Sequence, residues 1–349
     1  MLLVTMISPA CSIGDSWTTK LSMPTARRGL GAVVVDGKIY VLGGYKEGSG
    51  LLGTNEEYDP STNTWTTKSP MPTPRESFGI AVWQNKIYVI GGGIIDGIFY
   101  KAVSVNEVYN PSNDSWETKT PMPTARWKLT AQAVNDEIYL ISGVNPYTGT
   151  WLDKNEVYSP ASDSWTTKAP IPTPVRSPCS VVLDYELFVL GGLSPDGNLS
   201  LNQVYDPMSN TWSYRKAMPE GVAGAASSVP STSITKGIFV IGGDTKGSED
   251  QRDFTNHNKV YYQDTDNWTY GTSMPTVRCF LAAATVENKT YAIGGFSGDG
   301  LMLTTNEEYT FPPSPIPEFP SFLILPLFMA ATLLIVIVYR RKGMKTRQD

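Results

Sequence analysis

One phrase of eleven residues recurs along this chain, and its period restricts the fold more than any other feature. It reads NEEYDPSTNTW from Asn55, NEVYNPSNDSW from Asn106, NEVYSPASDSW from Asn155, NQVYDPMSNTW from Asn202 and NKVYYQDTDNW from Asn258. Asn, Tyr and Trp keep their places in every copy, pairing Tyr58 with Trp65, Tyr109 with Trp116, Tyr158 with Trp165, Tyr205 with Trp212 and Tyr261 with Trp268. A sixth start, NEEYTFPPSP from Asn306, has Tyr309 but no Trp. Before each copy stands a β-like alternation ending in glycine, such as GAVVVDGKIYVLGG or LAAATVENKTYAIGG, which breaks at turn signals like Asp36-Gly37, Gln84-Asn85 and Asn135-Asp136. A second turn divides the Tyr strand from the Trp strand. The unit is therefore four antiparallel strands in about 50 residues, the signature of propeller blades.

A lone blade cannot bury its two faces, so the Tyr and Trp of each unit are expected to pack between neighbours, and the middle of the phrase is expected to be a solvent-facing turn free to vary. The missing sixth Trp is supplied from the other end of the chain. DSWTTKLSMPTAR begins at Asp15 and reads as a Trp strand whose three companions are absent. Lending Trp17 to the last blade completes six blades over residues 15–311 and leaves no open edge. The predicted fold is all-β.

With a Gly-Gly pair, then Tyr, then Trp at these spacings, the sequence resembles the kelch repeat family over roughly residues 15–309. The resemblance implies a six-bladed kelch-type β-propeller. Two units depart from the pattern: the third uses Ser142-Gly143, and the fifth has a longer stretch between Pro219 and Ile238 and no Arg after its proline. In the family, the residues after the inter-blade proline approach the mouth of the central channel. Arg27, Arg75, Arg126 and Arg278 hold that position, with Arg176 one residue late. They read either as an anion-binding ring or as guanidinium groups that satisfy backbone carbonyls between blades.

Connectivity alone selects a binding face. In a four-stranded blade the two hairpin turns lie at one end, while the loop after strand two and the link to the next blade lie at the other. The second end carries the long loops, where recognition usually sits. Tyr45, Tyr100, Tyr147 and Trp151 lie on those loops with Phe99, Phe254 and Phe296, and the links add Trp127, Lys128 and Phe280. Aromatic rings beside polar groups suit sugar stacking or a protein partner, and equally suit the packing of the loops themselves.

Little points to chemistry. The one histidine, His257, cannot furnish a multi-His metal site or a His-dependent triad, and Cys11, Cys179 and Cys279 are too scattered for a zinc pair or a disulfide framework. No metal or cofactor is expected, and the oxygen-rich stretch from Asp244 to Asp253 is unsupported as a calcium site. A net charge of -5 without a basic stripe gives no case for nucleic acid. SNDSW and SDSW lack the glycine of sialidase Asp-boxes. Kelch propellers include sugar epimerases, so the resemblance leaves a surface carbohydrate-active enzyme, of epimerase or hydrolase type, as the rival to a binding or adhesion module.

The ends of the chain are of another character. Residues 1–11 read as a signal-peptide remnant, 312–321 as a proline-rich spacer, 322–339 as a transmembrane helix and 340–349 as a basic cytoplasmic tail carrying Arg340, Arg341, Lys342, Lys345 and Arg347. An apolar span followed by basic residues resembles the C-terminal anchors of archaeal surface proteins, and predicts a single-pass protein with its propeller outside the cell membrane. Four Asn-x-Ser/Thr sequons, at Asn113, Asn198, Asn267 and Asn288, are candidate glycan sites on such a surface.

Overall fold

In the computed structural model, which describes residues 15–230, 237–247 and 253–311, the chain forms six four-stranded antiparallel sheets. Blade one consists of Gly31–Val35, Lys38–Leu42, Asn55–Asp59 and Thr64–Lys68. Blades two to five repeat this plan over 79–119, 130–167, 179–215 and 226–271. The first strand of each blade touches that of the next, closing a circle, so these strands are innermost. Blade six takes three strands from 282–310 and its outermost from Ser16–Thr19, which places Trp17 opposite Tyr309. The propeller is one compact unit, Gly14–Phe311.

The core is divided among the blade interfaces. Six apolar clusters occur, one between each pair of neighbours. Strand Lys38–Leu42 shows why. Its side chains alternate, so Ile39 and Val41 pack toward Tyr291 and Ile293 of blade six, while Tyr40 and Leu42 pack toward Ile87 and Val89 of blade two. A strand buried on both sides must be apolar along its buried length, which accounts for the unbroken IYVL and IYVI runs that follow Lys38 and Lys86.

The recurring phrase is an inter-blade staple. Each Tyr is buried against its Trp, with ring centroids 4.8 to 5.1 Å apart. In blade two, Trp116 Nε1 donates to Ser69 O of blade one at 2.9 Å. Asp114 accepts from Tyr109 Oη at 2.6 Å and from the Ser69 amide at 2.8 Å. The same three bonds recur at every interface, with Asn63, Asp163, Asn210, Asp266 and Asp15 in the place of Asp114. The expectation that the middle of the phrase varies freely is therefore corrected at one position. The residue two before each Trp is always Asn or Asp, because it must accept from both blades and, at Asn63, Asp114, Asp163, Asn210 and Asp266, adopt a positive φ of 44 to 55°.

The first glycine of each pair sits at a close approach. A Cβ on Gly43, where φ is +57°, would lie 2.7 Å from Arg75 O and 2.6 Å from the Phe78 ring. Ser142 takes this position in blade three by bonding to the backbone it approaches: its Oγ donates to Val175 O and accepts from Val175 N, each at 2.7 Å.

No disulfide joins Cys179 and Cys279, which are both buried. The sequence-predicted signal remnant, proline-rich spacer, transmembrane helix and basic tail lie outside the described residues. Among the described residues no helix is long and apolar enough to cross a membrane.

Candidate functional site

The links between blades and the long loops meet at one end of the propeller. Arg28 bridges Tyr45, Glu76 bridges Gly93, Trp127 bridges Val144 and Arg176 bridges Leu193, each pair joining an inter-blade link to the loop of the blade that follows it. One residue further on, the six links join one another. The amide of Ser77 donates to Gly29 O, Lys128 to Ser77, Ser177 to Lys128, Gly224 to Ser177, Phe280 to Gly224 and Gly29 to Phe280, at 2.7 to 3.0 Å. This cyclic chain of backbone hydrogen bonds collars the channel mouth. All six residues have φ between 51 and 63°. Lys128 and Phe280 stand three positions apart on this ring of six. The Lys128 ammonium lies 5.7 Å from the Phe280 ring and 4.3 Å from that of Trp127, so the lysine crosses the mouth.

On that floor is a cavity of about 400 Å³, lined by Arg28, Glu76, Ser77, Tyr100, Trp127 and Lys128 on one side and by Trp151, Arg176 and Phe280 on the other. Tyr100 comes from the hairpin Gly93–Asp96/Phe99–Ala102 and stacks on Trp127 at 4.8 Å, with 7° between the planes. Trp151 is fixed by its Nε1 bond to Leu193 O at 3.0 Å and carries the Arg176 guanidinium over its ring at 5.4 Å. Arg28 is held between Tyr45 and Phe296, 5.3 Å from each ring. Among the described residues its guanidinium makes no hydrogen bond, and its buried Nε is unpartnered.

The pocket is cationic, with Arg28, Lys128 and Arg176 set against Glu76. Glu76 is almost fully buried, and that burial pushes its carboxyl up; Arg28, Lys128 and a hydrogen bond from Tyr100 pull it back only in part. The Tyr100 phenol is pushed up to about 12, first by burial and then by Glu76.

Of the seven residues selected from sequence, Tyr100, Trp127, Lys128, Trp151 and Phe280 line the cavity. Tyr45 stands behind Arg28, and Tyr147 is 88% exposed and outside the lining. The anion ring is not formed. Arg27, Arg75, Arg126 and Arg278 are fully buried and pair with Glu56, Glu107, Glu156 and Glu307 at 2.5 to 2.8 Å. Each also donates to a carbonyl of the second strand, at Val41, Val89, Leu140 or Ala292. Each guanidinium is already committed to a carboxylate and a carbonyl and has no face toward solvent, although among the described residues the buried Nε of Arg27 and of Arg126 has no partner.

Arg28 and Glu76 were missed by sequence reasoning, and Arg176 was noted only as the late member of the arginine set, although the signal was present. They stand one residue after the buried slot, and in blade four Val175 takes that slot, so the late Arg176 falls in register with Arg28 and enters the pocket. Among the described residues no group of three His, Cys, Asp or Glu could hold a metal.

A family model described as the Attractin/LZTR1 beta-propeller matches residues 87–309, and one described as the KLHDC2/KLHL20/DRC7 Kelch-repeats domain matches residues 12–143. Kelch-like protein 7 of Gallus gallus and of Homo sapiens are each 44% identical to this chain over 137 residues, covering 39% of it. The match spans 23% of the length of those relatives. The solved structure of YjhT resembles this one with a TM-score of 0.72 at 15% identity, over 82% of this chain and 95% of that one, which is a likeness of fold.

Proposed function

Because this chain belongs to the kelch-repeat β-propeller family, we propose that it is a binding module, tethered at the cell surface by its C-terminal segment, that captures a partner through an anionic group seated on Arg28. The observation that carries this reading is the state of Arg28. A guanidinium clamped between two rings, with no hydrogen bond among the described residues, is pre-positioned for two parallel bonds to a carboxylate. Arg176 and Lys128 supply further positive charge, and Trp127, Trp151 and Phe280 offer apolar surface around the anchor. A protein partner presenting an acidic side chain fits this chemistry, and so does a carboxylated glycan.

Topology supports the tether. The last described strand, Asn306–Thr310, starts at the pocket end and runs to the hairpin-turn end, so the chain leaves the propeller opposite the pocket.

The test is binding of the detergent-solubilised full chain to arrays of acidic peptides and carboxylated glycans, with amidated and neutral counterparts alongside. Binding to carboxylate probes should fall about tenfold or more in Arg28→Ala, the cost of losing a charged hydrogen-bond partner. Equal binding to neutral probes, or no loss in the variant, would sink the reading.

A second reading, a carbohydrate-active enzyme on the same fold, draws on Glu76. A buried carboxyl held above its usual range, beside a phenol and two cations, is equipped for acid–base work. Glu76→Gln separates the two: it should strengthen anion binding if the pocket only binds, and should abolish turnover of a bound sugar if the pocket catalyses.

A further inference from the structure

Four sequons occur, and the structure distinguishes among them by the state of the one atom that matters. Glycan transfer joins the side-chain nitrogen of Asn to C1 of a sugar: the N–C1 bond forms as the bond from C1 to the phosphate of a lipid-linked oligosaccharide breaks, the amide gives up a proton, and the lipid phosphate leaves. The acceptor nitrogen must therefore be accessible, with room for the sugar.

Asn198 meets neither condition. Its Nδ2 donates to Asp244 O at 2.6 Å, its Oδ1 is buried, and Gly247 packs so closely that a Cβ there would lie 2.6 Å from Asn198 Oδ1. A sugar on Nδ2 would have to displace the Asp244–Gly247 loop. The other three are exposed. Asn113 lies in the turn between Asn106–Asn110 and Ser115–Lys119, and uses its Oδ1 to accept from Ser115 Oγ at 2.7 Å. Asn267 opens strand Asn267–Gly271, and its Oδ1 accepts from Lys216 Nζ at 2.8 Å. Asn288 lies in the turn between Ala282–Val286 and Lys289–Ile293. Among the described residues none of these three Nδ2 atoms has a hydrogen-bond acceptor. All three turns are at the hairpin-turn end, opposite the cavity.

From this we infer that the propeller is N-glycosylated at Asn113, Asn267 and Asn288 and not at Asn198, so that sugars cover the hairpin-turn end and leave the pocket bare. The inference rests on the proposed placement outside the cell, and the experiment separates the two.

Intact cells that make the full chain are labelled with a membrane-impermeant biotin reagent; the labelled chain is isolated and its peptides are weighed. The expected result is a labelled chain with glycan mass on the peptides of Asn113, Asn267 and Asn288 and none on that of Asn198. Asn→Gln at each of the three should remove one increment, and Ser115→Ala and Thr269→Ala, which keep the Asn, should remove those of Asn113 and Asn267. A labelled chain with bare peptides at all three sites, or with a glycan on Asn198, overturns the inference while the surface placement stands. A chain that no surface reagent labels overturns both.

Discussion

Arg126 and its equivalents show how one position can carry a charge in four blades and none in two. Thr124 Oγ1 and Arg126 Nη1 both donate to Glu156, and the same trio appears as Thr25, Arg27 and Glu56, as Thr73, Arg75 and Glu107, and as Thr276, Arg278 and Glu307. In blade four Arg becomes Val175 and Glu becomes Gln203, whose amide exchanges bonds with the Thr173 backbone at 2.9 and 3.1 Å. In blade five the signs are reversed: Glu220 replaces Thr, Val222 replaces Arg, and the buried Lys259 lies 2.9 Å from Glu220. Every trio is balanced, as it must be where an unmatched charge would have no water around it. Arg126→Val alone should therefore destabilise the protein by about 3 to 5 kcal/mol, because Glu156 is left buried and unpaired. Arg126→Val with Glu156→Gln reproduces the blade-four trio and should recover most of that loss. Urea-unfolding midpoints measure both, and equal losses in the single and double variants would show that the two residues are not coupled.

At the scale of the element, strand Ser16–Thr19 closes the ring by supplying to blade six the same staple that each other blade makes for itself. Asp15 Oδ2 accepts from Tyr309 Oη at 2.6 Å and from the Thr272 amide at 2.7 Å, and Trp17 Nε1 donates to Thr272 O at 2.8 Å. Trp17→Ala should cost about 3 kcal/mol, the low end for truncating a large buried aromatic, since this ring is only half-buried. The loss should also be local. Amides of Lys289–Ile293 and Asn306–Thr310 should exchange with solvent hydrogen faster, while those of blades two and three keep their protection; a uniform rise across all blades would refute local closure by this strand. The blades and this closing strand were legible in the sequence because the burial that fixes them recurs six times, and each repetition exposes the pattern. The pocket was legible in its aromatics and in Lys128. Arg28 and Arg176 take their direction from a single backbone register, set by which residue fills the buried slot before them and by the positive φ that follows, and no composition or spacing rule encodes that. The Asn or Asp before each Trp could have been read, since all six copies carry it, but its role depends on a neighbouring blade.

Across the whole molecule, the staples place ionisable groups at every interface, so stability is tied to pH from both sides. The hydrogen bond from Tyr109 holds the Asp114 carboxyl below its usual range, and Tyr158 does the same for Asp163. Burial pushes Glu57 and Glu308 up, but the bonds they accept from Lys and Tyr neighbours more than reverse it and leave both low. A carboxyl that is more acidic in the folded state than in the unfolded chain contributes stability above the unfolded pKa of about 4 and loses it as the pH falls through the folded value. Glu76, raised by burial, opposes this trend. On the alkaline side, burial lifts Tyr58, Tyr88 and Tyr205 to about 12. The unfolded chain releases those protons first, so stability falls once the pH passes the ordinary tyrosine value of about 10. The melting temperature should hold a plateau between about pH 5 and pH 9 and decline on both sides. Blades one and four already use Asn63 and Asn210 where blades two and three use Asp114 and Asp163, accepting the same tyrosine and amide bonds without a charge. Asp114→Asn with Asp163→Asn should therefore leave the melting temperature at pH 7 close to its original value and make the acid decline shallower, and should ease the alkaline decline as well, since after burial Asp114 is what raises Tyr109 and Asp163 what raises Tyr158. Melting curves of both proteins from pH 2 to pH 11 decide it, and an acid limb of unaltered slope would mean that protonation of the staples is not what unfolds the propeller.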